Sequence, residues 1–239
     1  MSLFCKLLPV NGQWNDLLTM NLKGKIKSVK ETYYAAILNG NDTIEGERLL
    51  RWDNISLYDE SGNLYKESSF GHPDGSYEWD NYYSYDSIGR EIAWKCYSDT
   101  ILFEDMTYKY QKSLDGYRKY WFARGNFVGY EDIRFNNNNQ IVQLYNYEED
   151  SSYSGGDIWR YLPDSLVVEQ IYYDENDSPK ETIKYTKNIN GDNICVFSNK
   201  DNNAITYKYK YEEKMNWDYK IESVNNKPIK IVIRKIDYY

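Results

Sequence analysis

The feature that most constrains this sequence is a strand, tight turn and strand pattern in residues 82–97. Asp86 can bond its own backbone at the start of the turn, and Gly89 is free to adopt positive φ at its end. Aromatic and β-branched residues flank the turn on both sides, and they suit a pleated, half-buried surface better than a helix. The stretch predicts a β-hairpin, and a chain built from such units is all-β.

The pattern recurs along the chain. Residues 58–64 match residues 85–91 with an offset of 27, and further turns open at Tyr110 and Phe135 after two steps of 25 residues. Each copy is then a hairpin repeat of roughly 25 residues, with two strands and two turns. Because long twisted sheets curl, we expect an antiparallel β-meander of roughly a dozen strands that coils into an open roll or partial barrel.

The chain divides into a short lead-in and one β-repeat region. Residues 1–24 form the lead-in, where Asn15 or Asp16 is suited to cap one helical turn that stops by Gly24, although the pattern is too brief to choose a helix over a strand. Residues 25–239 form the β-repeat region, which we take as a single domain because all-β architectures of this length are commonly one domain.

Two predicted strands alternate cleanly between apolar and polar residues. Residues 205–211 place Ile205 and three tyrosines on one face, and residues 229–234 alternate isoleucines with Lys230 and Arg234. This pattern is typical of an antiparallel sheet with one covered face. We therefore expect the isoleucines to be buried, and Lys230 and Arg234 to be exposed to water.

The Tyr-Asp turns resemble those of the YD-repeat family, which comprises the Tyr-Asp repeats of Rhs and teneurin-type proteins. Residues 58–62 and 85–90 carry the resemblance, whereas residues 110–111 and 135–136 depart from it with glutamine and asparagine in place of aspartate. The likeness covers residues 55–160. It implies an antiparallel β-meander that coils as it lengthens. Large family members wrap such sheets around a toxin, and this chain has too few units to enclose one.

The Leu-Lys-Gly-Lys segment at residues 22–25 is similar to the start of the β region in small β-repeat proteins of gut Bacteroidetes. That resemblance implies the same coiled meander. By analogy with YD-repeat proteins, and given the acidic charge and the absence of a signal segment, one version of the function is an immunity-like protein that blocks a toxin.

Charge and hydropathy disfavour several classes of protein. The 29 basic and 37 acidic residues give a formal net charge of −8, which argues against nucleic acid as a partner. No apolar run approaches the roughly 20 residues that a membrane-spanning helix needs. The first ten residues do not form an intact secretory signal, so we expect a cytoplasmic protein, or a secreted or periplasmic one if a signal was removed.

Residues suited to catalysis or metal binding are few. His72 is the single histidine and lies in a predicted turn, so a Ser-His-Asp or Cys-His site has no support. The three cysteines, Cys5, Cys96 and Cys195, are far apart, which predicts free thiols rather than a disulfide framework or a zinc site. No glycine-rich phosphate-binding motif is present. We therefore expect no catalytic residue, no metal and no cofactor.

Paired carboxylates leave one enzymatic alternative open. Acidic pairs occur at residues 131–132, 148–150 and 212–213. Two carboxyls at the right separation suffice for a glycosidase, so a carbohydrate-active hydrolase remains the alternative. With 37 acidic residues some pair always looks suitable, and solubilising charges at sheet edges are the simpler interpretation.

The aromatic residues suggest a binding surface. The chain has 27 tyrosines and 7 tryptophans, more rings than a thin sheet obviously hides. We predict that Tyr83, Trp121 and Trp159 are exposed and bind a ligand, either a sugar ring or a partner protein. The alternative is that the rings pair across strands and form the core.

We therefore predict a non-catalytic binding or protein-interaction module, with a protein or a carbohydrate as its partner. A flat or gently concave aromatic face without perturbed acids would favour this module. A deep cleft with two close acids beside aromatic rings would favour the hydrolase.

Overall fold

The computed structural model describes residues 16–70, 78–138, 140–161 and 167–239, so His72 and Cys5 lie outside the described residues. One helical turn, α1 (Asp16–Thr19), precedes the first strand, and a 3-10 helix spans Leu50–Trp52. Within these ranges no helix has the length and apolar character needed to cross a membrane. The strands are β1 (Ile26–Asn39), β2 (Asp42–Arg48), β3 (Asn54–Tyr58), β4 (Leu64–Phe70), β5 (Glu78–Tyr85), β6 (Glu91–Ser98), β7 (Ile101–Lys112), β8 (Gly116–Ala123), β9 (Asn126–Phe135), β10 (Ile141–Glu148), β11 (Tyr153–Tyr161), β12 (Val167–Tyr173), β13 (Pro179–Lys187), β14 (Asn193–Ser198), β15 (Asn203–Tyr211), β16 (Trp217–Val224) and β17 (Lys227–Tyr238).

Sixteen of the strands form a closed antiparallel barrel. Each strand from β3 onward pairs with the next one, and β1 closes the ring because its first half pairs with both β3 and β17. β2 pairs with the second half of β1 and lies outside the ring. The predicted open roll or partial barrel of roughly a dozen strands is therefore wrong. Closure depends on pairing between the first and last strands, a long-range contact that local sequence patterns do not encode.

Strand register assigns each side chain to the inner or the outer face of the barrel wall. Side chains of directly paired residues share a face, and successive residues alternate between faces. One inner row runs from Glu31 through Asn54 and Ser69 to Trp79. A ring of sixteen strands is wide enough that side chains do not fill it. The inner face therefore surrounds a lumen.

Charged residues occur on both faces of the wall. Arg234 pairs with Glu31 and so faces inward, where it is 7% exposed, and Lys230 shares that face. Ile231 faces outward and is fully buried. The alternation of faces predicted for residues 229–234 is confirmed, but two expectations are wrong. Arg234 is buried rather than exposed to water, and Ile229 is 42% exposed rather than buried. In a closed barrel, the polar face of a strand can point into the interior of the ring instead of into bulk water.

The hairpin predicted for residues 82–97 is present, since β5 pairs with β6 across a tight turn. Asp86 accepts hydrogen bonds from two backbone N–H groups of that turn, and Gly89 has a φ of 81°. Asp59 makes the same pair of contacts in the turn of residues 59–63. The recurring aspartate therefore shapes the turn rather than a functional site.

Tyrosine hydroxyls satisfy backbone groups where the strand register shifts. A β-bulge leaves part of the ladder unpaired, and a tyrosine on the following strand donates its hydroxyl to the carbonyl oxygen of the residue that begins the bulged strand. The four pairs are Tyr85 to Leu64 (2.7 Å), Tyr110 to Glu91 (2.9 Å), Tyr161 to Ile141 (2.9 Å) and Tyr209 to Asn193 (2.6 Å). These bonds explain why tyrosine rather than phenylalanine occupies the four positions.

Residues 16–24, the described part of the lead-in, pack against one end of the barrel. Leu17 and Leu22 are 7% and 4% exposed, and they form an apolar cluster with Ile26, Val29 and Tyr58 on the inner face of β1 and β3. Burying an aliphatic side chain of this kind contributes about 1.5–3 kcal/mol. Residues 16–24 are therefore part of the packed structure.

Polar contacts fix the lead-in to several sides of the ring. Asp16 accepts hydrogen bonds from the backbone N–H of Leu64 (2.9 Å) and from the hydroxyl of Tyr85 (2.6 Å). Asn216, in the turn between β15 and β16, binds both the backbone N–H and the carbonyl oxygen of Lys23. Because these partners belong to distant strands, residues 16–24 cross this end of the barrel.

Candidate functional site

The three residues that the sequence predicts to bind a ligand all lie on the inner face of the barrel. Tyr83 pairs with Trp94 on β6, and Trp121 pairs with Gly129 on β9. Trp159 is only 5% exposed, so the prediction that its ring is exposed is wrong. The closed ring turns this face of the sheet inward, where neighbouring strands cover it. Ligand binding by these three residues stays a prediction.

Tyr83 lies apart from the two tryptophans. Its strand, β5, is three strands away from β8, and its hydroxyl forms a hydrogen bond with the carboxyl group of Glu67. Burial is the main cause that raises the pKa of both groups. Tyr83 therefore already has a polar partner within the protein, whereas the indole nitrogens of Trp121 and Trp159 have none among the described residues.

A diagonal row of side chains joins the two tryptophans across the inner face of β8 to β11. Its members, in order, are Trp121, Glu131, Asn146, Asp157 and Trp159, and we call this row the inner stripe. Register places each member on the same strand as the next or on an adjacent strand. From the spacing of residues along and between strands, the stripe is roughly 25 Å long.

Glu131 is a buried carboxyl without a partner. It is 6% exposed, and within the described part of the chain it makes no hydrogen bond and no ion pair. Its cross-strand neighbour Lys119 instead lies with its ammonium group 4.0 Å from the centre of the Tyr108 ring. Burial raises the pKa of Glu131, the charge of Lys119 acts against that rise, and the charges of Glu91 and Asp157 add to it. Hydrogen bonds from a ligand would stabilise this carboxyl.

Asp157 begins a chain of buried hydrogen bonds. Gln170 donates to Asp157 Oδ1 at 3.1 Å, and the hydroxyl of Tyr185 donates to Gln170 Oε1 at 2.9 Å. Asp157 and Gln170 are 6% and 3% exposed. Burial raises the pKa of Asp157 to about 6, although the hydrogen bond from Gln170 lowers it. The second carboxyl oxygen of Asp157 accepts no hydrogen bond from the described residues.

The two indole nitrogens of the inner stripe are also unpaired within the described part of the chain. Nε1 of Trp121 and Nε1 of Trp159 are shielded from solvent and have no acceptor among the described residues. Asn146 lies opposite Gly155, which has no side chain to meet its amide. Each buried donor without an acceptor costs about 1–3 kcal/mol. The two indole N–H groups are therefore free to donate to an acceptor from outside the described residues.

Sequence reasoning identified both ends of the inner stripe, Trp121 and Trp159, but placed Glu131 only in an acidic pair with Asp132. The structure separates that pair, because Asp132 faces outward and accepts a hydrogen bond from Arg118 at 2.7 Å. The remaining members carry no local signal, since their position depends on the register of β9 to β11. Alternation along those strands shows only that they share a face.

Comparison with known proteins finds structural neighbours alone. A porin-like protein from Bacteroides uniformis is similar, with 8% identity, a TM-score of 0.48, and coverage of 90% of this chain and 98% of that chain. A porin-like protein from Bacteroides vulgatus has 10% identity, a TM-score of 0.35 and the same coverage. A TcdB2-TccC3-Cdc42 complex has 10% identity, a TM-score of 0.27, and coverage of 84% of this chain and 11% of that chain. No family model and no curated protein matches, so the resemblance to YD-repeat proteins is not confirmed.

Proposed function

We propose that this protein is a non-catalytic binding barrel that holds an extended, hydroxyl-rich ligand, an oligosaccharide, along the inner stripe. One observation carries the proposal. Glu131 and Trp159 are both more than nine-tenths buried. The indole N–H of Trp159 has no acceptor among the described residues, and burial raises the pKa of the Glu131 carboxyl with no hydrogen bond to offset it.

Hydroxyl groups match the chemistry of the inner stripe. An indole N–H needs an acceptor, and an ionised carboxylate needs a donor. A hydroxyl is both, so one class of ligand satisfies Trp121, Trp159, Glu131 and Asp157 together. A simple cation would satisfy the carboxylates and leave the indole N–H groups unpaired.

The shape of the inner stripe favours a chain of sugar rings over a single ring. The polar groups lie in the middle of the row, and an aromatic ring lies at each end. The Trp121 ring offers an apolar face that can stack on the C–H face of a sugar. The Trp159 ring is buried, so it would contribute its N–H group rather than its face. A row roughly 25 Å long is too long for a monosaccharide to span.

The outer face of the barrel suits water rather than lipid. Several ion pairs lie on it between adjacent strands. Among them are Lys66–Asp80 (2.9 Å), Lys95–Asp105 (3.6 Å), Arg118–Asp132 (2.7 Å) and Lys184–Glu169 (2.8 Å). An outward-facing Arg or Lys costs about 2–4 kcal/mol at the middle of a bilayer. We therefore propose that water surrounds this barrel wall, so that binding rather than transmembrane permeation is its function.

A carbohydrate-active hydrolase is the second candidate, and one observation favours it. Glu131 and Asp157 share the inner face and both have a raised pKa, as a glycosidase requires of its general acid. The binding function ranks first because it needs only the hydrogen bonds that the stripe leaves open. Hydrolysis also needs one ionised and one protonated carboxyl on either side of a glycosidic bond.

The test is titration of the purified protein with soluble oligosaccharides of increasing length. Intrinsic tryptophan fluorescence is recorded at each step as the measure of binding. We expect a saturable change whose affinity rises with chain length. The substitutions Trp121→Phe and Trp159→Phe keep an aromatic ring and remove the N–H, so each should weaken binding roughly tenfold. Trp79→Phe is the matched control, because Trp79 contacts Phe103 and lies outside the stripe.

Three other outcomes would change the assignment. The absence of a saturable change with any saccharide would reject the oligosaccharide and favour a protein partner. Binding that persists unchanged in the double variant of Trp121 and Trp159 would place the ligand elsewhere. Release of new reducing ends that is lost in Glu131→Gln would replace the binding function with hydrolysis.

A further inference from the structure

The wall opposite the inner stripe is built differently. β17 lies eight strands from β9 in the ring of sixteen, so the two strands face each other across the lumen. The centre of the inner face formed by β15, β16, β17 and β1 carries three cations and two anions, and we call this surface the basic wall. The five residues are Lys220, Lys230, Arg234, Glu31 and Glu222. Its net charge is positive, in a chain whose formal net charge is −8.

Two of the three cations form ion pairs with the two anions. Arg234 donates from Nε (3.0 Å) and Nη2 (2.6 Å) to Oε1 of Glu31. The Nζ atom of Lys230 lies 3.1 Å from Oε2 of Glu222. These contacts leave Lys220 as the cation of the basic wall that has no anion in direct contact.

Lys220 lies on an aromatic surface. Its Nζ atom is 4.8 Å from the centre of the Trp217 ring, and the guanidinium of Arg234 lies 3.3 Å from the centre of the same ring. Within the described part of the chain this ammonium group makes no hydrogen bond and no ion pair. Burial lowers the pKa of Lys220, the charge of Glu31 acts against that, and the charge of Arg234 adds to it.

Tyr207 supplies a second unpaired donor. It pairs with Glu222, so its ring lies on the inner face, and Nζ of Lys220 is 5.7 Å from the ring centre. Among the described residues the Tyr207 hydroxyl has no hydrogen-bond partner. The basic wall therefore presents two hydrogen-bond donors on adjacent strands of one face, and one of them is charged.

We propose that Lys220 and Tyr207 bind a small monovalent oxyanion, most simply the carboxylate group of an organic acid. An oxyanion accepts hydrogen bonds from an ammonium group and a phenol at once. Its single negative charge balances the one positive charge that Glu31 and Glu222 leave over. A metal cation would be repelled, and a neutral sugar would leave the charge unbalanced. The site is separate from the inner stripe and does not rest on the function proposed for it.

Quenching of tryptophan fluorescence by iodide tests this site, because Trp217 lies beside Lys220. Iodide is itself a monovalent anion, and acrylamide is a neutral quencher of the same signal. At constant ionic strength, we expect Lys220→Gln to reduce the anion-specific part of iodide quenching about fivefold, since it removes one unit charge near the ring. Lys208→Gln on the outer face is the matched control and should leave quenching unchanged.

Competition identifies the anion. Sodium acetate should protect the native protein from iodide, and Tyr207→Phe should make that protection about fivefold weaker because it removes one hydrogen bond. Protection by phosphate and none by acetate would overturn the carboxylate assignment. Equal iodide quenching in the native protein and in Lys220→Gln would reject the site. A parallel change in acrylamide quenching would also reject it, because the substitution would then act by opening the structure.

Discussion

The inner stripe and the basic wall face each other across the lumen, and they shift the pKa of a buried carboxyl in opposite directions. On the basic wall, burial acts to raise the pKa of Glu31. The positive charges of Arg234 and Lys220 act in the opposite direction and outweigh burial, so the pKa of Glu31 lies below its ordinary value. On the inner stripe, Glu131 has no bonded cation, and its pKa is raised. Burial is common to both carboxyls. The difference shows that a directly bonded partner decides whether a buried acid stabilises the fold or opposes it.

Breaking the buried pair should have the largest effect. Arg234→Met leaves the Glu31 carboxylate buried without its partner, so we expect the free energy of unfolding to fall by about 3–5 kcal/mol. Urea unfolding followed by circular dichroism measures it. The double variant Glu31→Gln with Arg234→Met is the control and should recover most of the loss. If the single variant lost less than about 1 kcal/mol, the pair would behave as a surface pair.

Removing an acid from the inner stripe should have the opposite sign. The folded protein raises the pKa of Asp157 from 3.8 to about 6, so the folded state binds the proton more tightly than the unfolded state does. The resulting penalty is absent below about pH 4, grows up to about pH 6 and is complete above it. Asp157→Asn should therefore stabilise the protein by about 3 kcal/mol at pH 8 and leave it unchanged at pH 4.

Unfolding curves at the two pH values check this sign. A gain of equal size at pH 8 and pH 4 would show that the effect is not the titration of Asp157. A loss at pH 8 would mean that the hydrogen bond from Gln170 outweighs the cost of burying the charge.

A smaller effect should come from the hydroxyls that satisfy the bulged strands. Tyr209→Phe removes the hydrogen bond to the carbonyl oxygen of Asn193 and should cost about 1 kcal/mol of unfolding free energy. Tyr219→Phe on the outer face serves as the matched control and should stay within about 0.5 kcal/mol. Equal losses at both positions would mean that the hydroxyl at the bulge contributes no more than a solvated one.

The outer ion pairs should contribute least. Arg118→Met makes the same substitution as Arg234→Met, but Arg118 is 38% exposed in its side chain and its pair with Asp132 is open to solvent. We expect a change of roughly 0–1 kcal/mol, reduced further by added salt. A loss as large as that of Arg234→Met would show that the outer face is covered in solution.

Local structure was predictable here, and closure was not. The turn after Tyr85 and the strand at residues 205–211 follow from local residue types, and both are present. The open roll was wrong because residues near Ile26 pair with residues near Tyr238, and no pattern in either segment requires that contact.

The candidate site was predictable at its ends only. Trp121 and Trp159 stand out by residue type, and Glu131 stood out only as one of many acids. The prediction of an exposed Trp159 failed because it assumed an open sheet with a wet face. Asn146 and Asp157 join the row only through the alignment of β9, β10 and β11.

By itself the sequence determined an all-β chain, since alternation with a period of two residues and the turn residues between strands are local properties. Only the tertiary structure decided which face of each strand surrounds the lumen. A register shift of one residue would turn Glu131 and Asp157 outward without changing any local pattern. Pairing of β1 with β17 closes the sheet. Because of that long-range contact, the polar faces of the strands line the interior of the ring, where their charged groups are buried.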